Sequence, residues 1–419
     1  MTGSIQRLIT LAAVAMLLLL TAACGSTGET NDSGSSTSQP TATTSSSGAA
    51  TPSGASGSSS SSGSSGSGTV YKVGVVFPVS GPNAFVGEEN INAIKLAVEE
   101  VNASGRLPNG GKLELVIRDD ESTPNVGVSA VQRLINEDKV IAILGPFNSN
   151  VAAAVAPIAN EAEVPMLVAG ATADPLTEQG YRYFFRANDN NRQQGTFFMQ
   201  FVTNQLQWKR VVMIHQQTDW GDGLAQLVRE AVEASGGTVV DTLSYAPGTT
   251  NFLSLVTRLS GLEFDGVVTA ALNDEMAPLL RQATQTGISG DRFAAFGIDP
   301  AELVRLVGDA ANGVYIASYF DPVAPQNEVA ERFVEQYEAA YGRLPTAFAG
   351  QAYNATTMLV AAIEKAGSYD PKEIGAALHE LEDVPSVFGP LTFDDNGQAA
   401  HPVIVQQIQD GTAKAIGTS

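Results

Sequence analysis

Apolar residues along this chain recur with two alternating periods. Residues 70–78 form a short apolar run of strand type, and 88–103 set Ile91, Ile94, Val98 and Val101 at helical spacing. The alternation continues with a strand over 112–118 and a helix over 125–136. A strand over 140–145, a helix over 150–161 and a strand over 164–168 follow. After the polar stretch Arg186-Ala187-Asn188-Asp189-Asn190-Asn191 the unit repeats. Strands are expected at 210–215, 238–243, 266–271 and 293–296, with helices at 221–234, 252–259 and 275–286 between them. Alternating strand and helix implies parallel sheets covered by helices on both faces. Two such series separated by a polar break imply two α/β lobes.

The N-terminal part has neither period. Arg7 is the only charged side chain of residues 1–24, residues 8–20 are an almost unbroken apolar run, and Thr21-Ala22-Ala23 leads into Cys24. This reads as an export signal, with an apolar run too short for the ~20 residues a spanning helix needs. The stretch resembles a lipobox, in which the cysteine is lipidated and becomes the first residue of the mature chain. It departs from that pattern at Thr21, where leucine is usual, with Leu20 one step earlier. Residues 25–69 are Ser, Gly, Thr, Ala and Pro with almost no charge, a composition that cannot bury apolar surface. As a flexible leash it would reach roughly 35–40 Å. Cys24 is thus expected to anchor the chain to the membrane, outside the cytoplasm.

Composition narrows the function. The formal net charge is −21, which repels nucleic-acid phosphates, so no nucleic-acid partner is expected. Cys24 is the sole cysteine, so no intrachain disulfide can form. His215, His379 and His401 lie far apart in sequence with no ligand spacing, so neither a metal nor another cofactor is expected. No G-x-S-x-G, H-E-x-x-H or P-loop motif occurs, and Gly221-Asp222-Gly223 lacks the third glycine of a dinucleotide fingerprint. An enzyme is therefore not expected.

In open parallel sheets ligands bind beyond the carboxyl ends of the strands. The loops there are Ser80-Gly81-Pro82, Gly145-Pro146-Phe147-Asn148-Ser149 and Ala169-Gly170-Ala171-Thr172 in the first series. The second series offers Asp219-Trp220-Gly221-Asp222-Gly223, Leu272-Asn273-Asp274 and Gly297-Ile298-Asp299. The blocks VGVVFPVSGPNAFVGEENINAIKLAVEEVN, RDDESTPNVGVSAVQRLINEDKVIAILGP, VPMLVAGATADPLT, HQQTDWGDGL, EMAPLLRQATQTG and FGPLTFDDNGQ occur in that order. Together they resemble the branched-chain amino acid-binding (Leu/Ile/Val-binding) family of ABC-transporter substrate-binding proteins, over essentially all of 70–415. The resemblance implies the type I periplasmic binding protein fold: two Rossmann-like lobes with parallel sheets, joined by a three-stranded hinge. It places the crossings near 187–191, 317–320 and 392–396. Lobe 1 would hold 70–188 and 319–392, and lobe 2 would hold 189–318 and 393–419.

The same resemblance implies a binding site. Ser149 and Thr172, with a backbone group at Gly170 beside Ala171, would hold a ligand carboxylate. Asp299 would meet an α-ammonium, and Trp220 would cover the ligand from the second lobe. Local chemistry permits plainer roles: Ser149, Thr172 and Asp299 each fit a helix cap, and Trp220 fits interlobe packing. Relatives carry an aromatic residue at the place of Val86, beside Phe85, so the side-chain pocket departs from the pattern. The implied partners are a small-molecule ligand, an apolar amino acid above all, and the membrane permease of an ABC importer, with the chain acting as a monomer. Urea, short amides or aromatic carboxylates are the alternative ligands. A sensor ectodomain on the same fold would need a transmembrane helix or signalling domain after the lobes, and none is read before Ser419.

Overall fold

The structure, a computed structural model, describes residues 68–418. The expected export signal, Cys24 and nearly all of the linker lie outside those residues.

The first sheet contains β1 (Val70–Phe77), β2 (Lys112–Asp119), β3 (Ala142–Leu144), β4 (Met166–Val168) and β5 (Phe184–Arg186). Its order is β2-β1-β3-β4-β5, with every pair parallel. All residues of β3, β4 and β5 are buried, as expected of strands covered on both faces. α1 (Ala84–Ser104) lies on one face, and α2 (Pro124–Arg133) and α3 (Ser149–Glu161) lie on the other. The helix expected over 125–136 changes pitch. α2 stops at Arg133, and a π-type turn, Leu134–Asp138, follows. Lys139 at φ 58° then turns the chain so that the Val140 N–H reaches the Leu134 carbonyl at 3.2 Å.

The second sheet begins after α4 (Asn191–Asn204). It alternates β6 (Arg210–Gln216), α5 (Asp219–Ala234), β7 (Thr238–Tyr245), α6 (Leu253–Ser260), β8 (Gly266–Ala270), α7 (Asn273–Gln285), β9 (Phe293–Phe296), α8 (Pro300–Val307) and β10 (Tyr315–Ser318). The chain then forms α9 (Glu328–Tyr341), α10 (Ala347–Ala366) and α11 (Pro371–Leu378), which share the core of β1 and α1. It ends in the hairpin β11 (Ile404–Gln409) and β12 (Thr412–Thr418). The sheet order is β12-β11-β10-β9-β8-β6-β7, with the β10–β11 and β11–β12 pairs antiparallel and the remaining pairs parallel. The two-lobed α/β reading is therefore correct, with an antiparallel edge added by the C-terminal hairpin.

The polar stretch at 186–191 is not a surface linker. Arg186, Asn188, Asp189 and Asn191 are all fully buried. Arg186 bridges to Gln398: its N–H donates to the Gly397 carbonyl at 2.7 Å, and its own carbonyl accepts from the Ala399 N–H at 2.9 Å. The segment leaving the first sheet is thus paired with the one that leads into β11.

Candidate ligand-binding site

The carboxyl ends of both sheets open on one cavity. From the first sheet it is lined by Phe147, Asn148, Ser149 and Asn150 after β3, and by Gly170 and Thr172 after β4. Ala347, Phe348 and Gln351 of α10 close that side. From the second sheet come Gln194, Gln216, Thr218, Trp220, Leu272, Gly297 and Ile298, followed by Ala317, Ser318 and Tyr319 at the end of β10. No Asp, Glu, Lys, Arg or His is among the lining residues.

One glycine in each half makes room for an aromatic wall. Gly170 sits at φ 111°, and a Cβ there would stand 2.2 Å from the Phe147 ring. Gly297 sits at φ 80°, and a Cβ there would stand 2.8 Å from the Trp220 ring. Both positions need left-handed backbone and close ring approach, so only glycine fits. Phe348 meets Phe147 edge-on, with centroids 5.4 Å apart. Trp220, in the first turn of α5, packs against the buried clusters of both halves and accepts from Asn191 Nδ2 through its carbonyl at 3.1 Å.

Polar groups at the first sheet are arranged to donate. Ser149 Oγ accepts from the Ala173 N–H at 3.2 Å, which leaves its own O–H to be directed elsewhere. Thr172 Oγ1 is buried without a partner. Asn148, the N-cap of α3, makes no side-chain capping bond; the Val151 N–H in the first turn is taken by Asn150 Oδ1 at 3.0 Å, and the N–H groups of Ser149 and Asn150 have no side-chain cap. A helix N-terminus flanked by two hydroxyls suits an anion. Arg186 sets the loop that carries Thr172. Its Nη1 donates to the carbonyls of Ala171 (3.2 Å) and Ala173 (2.7 Å), and its Nη2 to Thr177 Oγ1 (2.9 Å). Burial lowers the Arg186 pKa to about 10, so it is still cationic at neutral pH.

The structure distributes the residues expected from sequence as follows. Ser149, Gly170, Thr172 and Trp220 line the cavity together. The Gly170 N–H is already bonded to Asn188 Oδ1 at 2.9 Å, so that group is not free for a carboxylate. Ala171 is fully buried beside the cavity rather than in its wall, its carbonyl engaged by Arg186. Asp299 is not in the wall either; its neighbour Ile298 is. Asp299 caps α8, accepting from the Glu302 N–H at 2.8 Å, and its backbone exchanges two hydrogen bonds with the Asn273 amide. Burial pushes its carboxyl up to about 7 against that capping bond, with Glu89 and Glu302 adding to the rise. Val86 and Phe85 stay out of the cavity; Phe85 lies under the Arg343 guanidinium, 5.6 Å from its ring centroid. Sequence reasoning missed Phe348, Gln351 and Tyr319. A polar Gln351 inside the otherwise apolar start of α10 was the available signal.

Two α/β halves that meet over one uncharged cavity, with their strand ends turned to each other, define a two-lobed solute binder. The periplasmic binding protein family model matches residues 70–413, and the chain belongs to that family. It is 29% identical to Leu/Ile/Val-binding protein homolog 1 of Brucella abortus (strain 2308) over 330 residues, 79% of this chain and 88% of the relative. The branched-chain amino acid transporter substrate-binding protein LivJ of Streptococcus pneumoniae, solved in complex with isoleucine, has the same fold. The TM-score is 0.79 at 27% identity, over 84% of this chain and 99% of that one. A solute-binding protein from R. palustris, solved in complex with benzoate, shares the fold at 24% identity and a TM-score of 0.76, over 83% and 96% of the two chains. Members of this family are extracytoplasmic solute-binding proteins of ABC transporters. Among the described residues no helix is long and apolar enough to cross a membrane, and no group of three or more His, Cys, Asp or Glu could hold a metal ion.

Proposed function

We propose that this chain captures a small carboxylate-bearing solute with an apolar body between two lobes and delivers it to the permease of an ABC importer. It binds without turnover, as a monomer, tethered outside the cytoplasm through a lipidated Cys24 and the leash over 25–69. Lobe 1 comprises 70–188 and 319–392, lobe 2 comprises 189–318 and 393–419, and the three crossings between them act as the hinge. Ligand contact with both lobes shifts the population toward the closed form. The observation that carries the ligand class is the cavity wall: two hydroxyls and a helix N-terminus at one place, aromatic walls around it, and no charged side chain. An anion can be held there by neutral donors alone. A buried ammonium would find no carboxylate in the wall and would carry its desolvation cost uncompensated.

The same observation ranks the alternatives. An acid without an α-ammonium fits the wall better than a zwitterion. An apolar amino acid is the second reading, supported by the Leu/Ile/Val-binding relatives. Urea and short amides lack the negative charge for which the Ser149–Thr172 corner is suited. Calorimetry with paired acids and their carboxamides tests the proposal: the acids should bind and the carboxamides should not. Binding of urea or carboxamides with no acid bound would refute it. For the anchor, Cys24→Ser should move the protein from the detergent phase to the aqueous phase on partitioning; a variant that stays with the detergent would show that the cysteine is not the anchor.

A further inference from the structure

We propose that Gln351 is a specificity-determining residue whose Oε1 accepts a hydrogen bond from an uncharged donor, an O–H or an amide N–H, carried by the bound carboxylate. The inference deepens the carboxylate reading of the cavity and rests on it. Gln351 lies in the second turn of α10, three residues after Phe348, and both line the cavity. Gln351 is 2% exposed, and its Oε1 is buried with no hydrogen-bond partner. Other polar side chains of the same helix are engaged: Asn354 Oδ1 accepts from the Val387 N–H at 2.9 Å, and Thr356 Oγ1 donates to the Ala352 carbonyl at 2.8 Å. Asn354 Nδ2 is also buried without a partner, but Asn354 does not line the cavity, whereas Gln351 does.

The argument is one of donor and acceptor balance. An ionised carboxylate only accepts hydrogen bonds, and the hydroxyls of Ser149 and Thr172 can donate to it. Gln351 Oε1 and Asn148 Oδ1, the other unpartnered buried oxygens of the wall, cannot. A hydrocarbon acid would leave Gln351 unsatisfied, at a cost that lowers affinity. A donor on the ligand removes that cost. An ammonium would also donate, but it would bring a full charge into a wall with no charged side chain. An uncharged donor meets both conditions.

Four acids that share one skeleton separate these cases: 4-methylpentanoate, 2-hydroxy-4-methylpentanoate, 2-oxo-4-methylpentanoate and leucine. Benzoate and 4-hydroxybenzoate form a second set. Titrated against the full chain, the hydroxy acid of whichever set binds should be about tenfold tighter than the member without a donor. In Gln351→Met, close in volume and without the amide, that difference should vanish, with the donor-free acid gaining affinity because it no longer leaves a buried oxygen unpaired. The wild-type ranking tests the donor requirement even if Gln351→Met does not fold, and thermal melting shows whether it does. An unchanged ratio in a folded Gln351→Met overturns the proposal and leaves the carboxylate reading standing. So does tightest binding of the 2-oxo acid, which would mean the amide donates, or of leucine, which would mean the donor is charged. If no acid of either set binds the wild-type chain, the carboxylate reading falls and this inference falls with it.

Discussion

Tyr319 belongs to two regions at once. It lines the ligand cavity, and its ring also packs edge-on against His401 with centroids 4.8 Å apart, inside a buried polar knot. The cavity meets its solute with hydroxyls, amides and rings and has no charged side chain in its wall. The knot buries Arg186, Asp189 and His401 together. Arg186 there is bonded to fixed partners, including Gln398 Oε1 at 2.5 Å and the carbonyls on either side of Thr172. The difference shows where this fold can use charge. A buried ion is tolerable where covalently fixed neighbours satisfy it in every molecule. A site that must stand empty as well as filled is better built from neutral groups, because an unfilled charged site leaves its ion uncompensated.

The comparison breaks most visibly at Arg186. Arg186→Leu removes hydrogen bonds to Ala171, Ala173, Thr177 and Gln398 at one stroke, leaving buried acceptors unsatisfied. The expected loss is about 3–5 kcal/mol of stability, with ligand affinity falling too because the Thr172 loop loses its support. Chemical denaturation with and without ligand measures both. A variant as stable as the wild type would show that the guanidinium is not what fixes this loop.

Substitutions in the cavity should behave in the opposite way. Thr172→Ala removes a hydroxyl that has no partner within the protein, so unliganded stability should change by less than about 1 kcal/mol. Affinity for a carboxylate should fall by roughly ten- to a hundredfold, the worth of one charge-assisted hydrogen bond. Ser149→Ala should lose affinity similarly, with some stability as well, since Ser149 Oγ also accepts from Ala173. Calorimetry paired with thermal melting separates the two effects. If Thr172→Ala melts several degrees lower and binds normally, the hydroxyl is a structural group.

The knot also makes a prediction about pH. Burial pushes the Asp189 carboxyl up to about 7 and the His401 imidazole down to about 4. Their nearest side-chain atoms are 3.5 Å apart, and near neutral pH the contact joins a neutral imidazole to a carboxyl that is about half protonated, not an ion pair. The two groups act on stability with opposite signs. The raised Asp189 contributes stability that is complete below pH ~4 and is lost as pH rises toward 7. The lowered His401 contributes stability that is complete above pH ~6.5 and is lost as pH falls toward 4. In the wild type the two slopes partly cancel. Asp189→Asn should leave the histidine slope alone, making the variant more acid-sensitive than the wild type between pH 6.5 and 4. His401→Gln should leave the aspartate slope, so that stability falls as pH rises from 4 to 7. Melting temperatures across that range test the signs, and parallel curves for all three proteins would rule the pairing out.

These regions were not equally legible in the sequence. Strands β1 to β4 and β6 to β9 are short apolar runs with turn residues after them, so their places and the loops beyond them could be read directly. Ser149, Thr172 and Trp220 stand in those loops, and the family resemblance singled them out from other loop residues; they line the cavity. The knot was hidden. Arg186 to Asn191 is a polar run that locally resembles a linker, and only contacts with Gln398 and His401, more than two hundred residues away in sequence, make it interior. Gln351 and Phe348 were harder to find: a polar residue in an apolar helix start was the one local signal, and only the fold brings the first turns of α10 to the cavity. The strand β5 and the hairpin of β11 and β12 likewise depend on partners distant in the chain.

The smallest expected effect tests Asp299, an expected site residue that lies outside the cavity wall. From sequence, Asp299 faced the ligand; in the structure its side chain caps α8 and Ile298 takes the place in the wall. A cap and an ammonium partner respond differently to the same two substitutions. Asparagine caps a helix as well as aspartate does, so Asp299→Asn should leave stability nearly unchanged, and Asp299→Ala should lose about 1 kcal/mol. Neither should change affinity for a carboxylate by more than about twofold, since the carboxyl is not in the wall. An ammonium partner would give the reverse pattern. Removing its charge in Asp299→Asn would cost about 3–5 kcal/mol of binding because a buried ammonium would lose its counter-ion, and stability without ligand would not suffer. Calorimetry and melting on this one pair of variants therefore decide between an acid and an amino acid as the solute, independently of which acid it is.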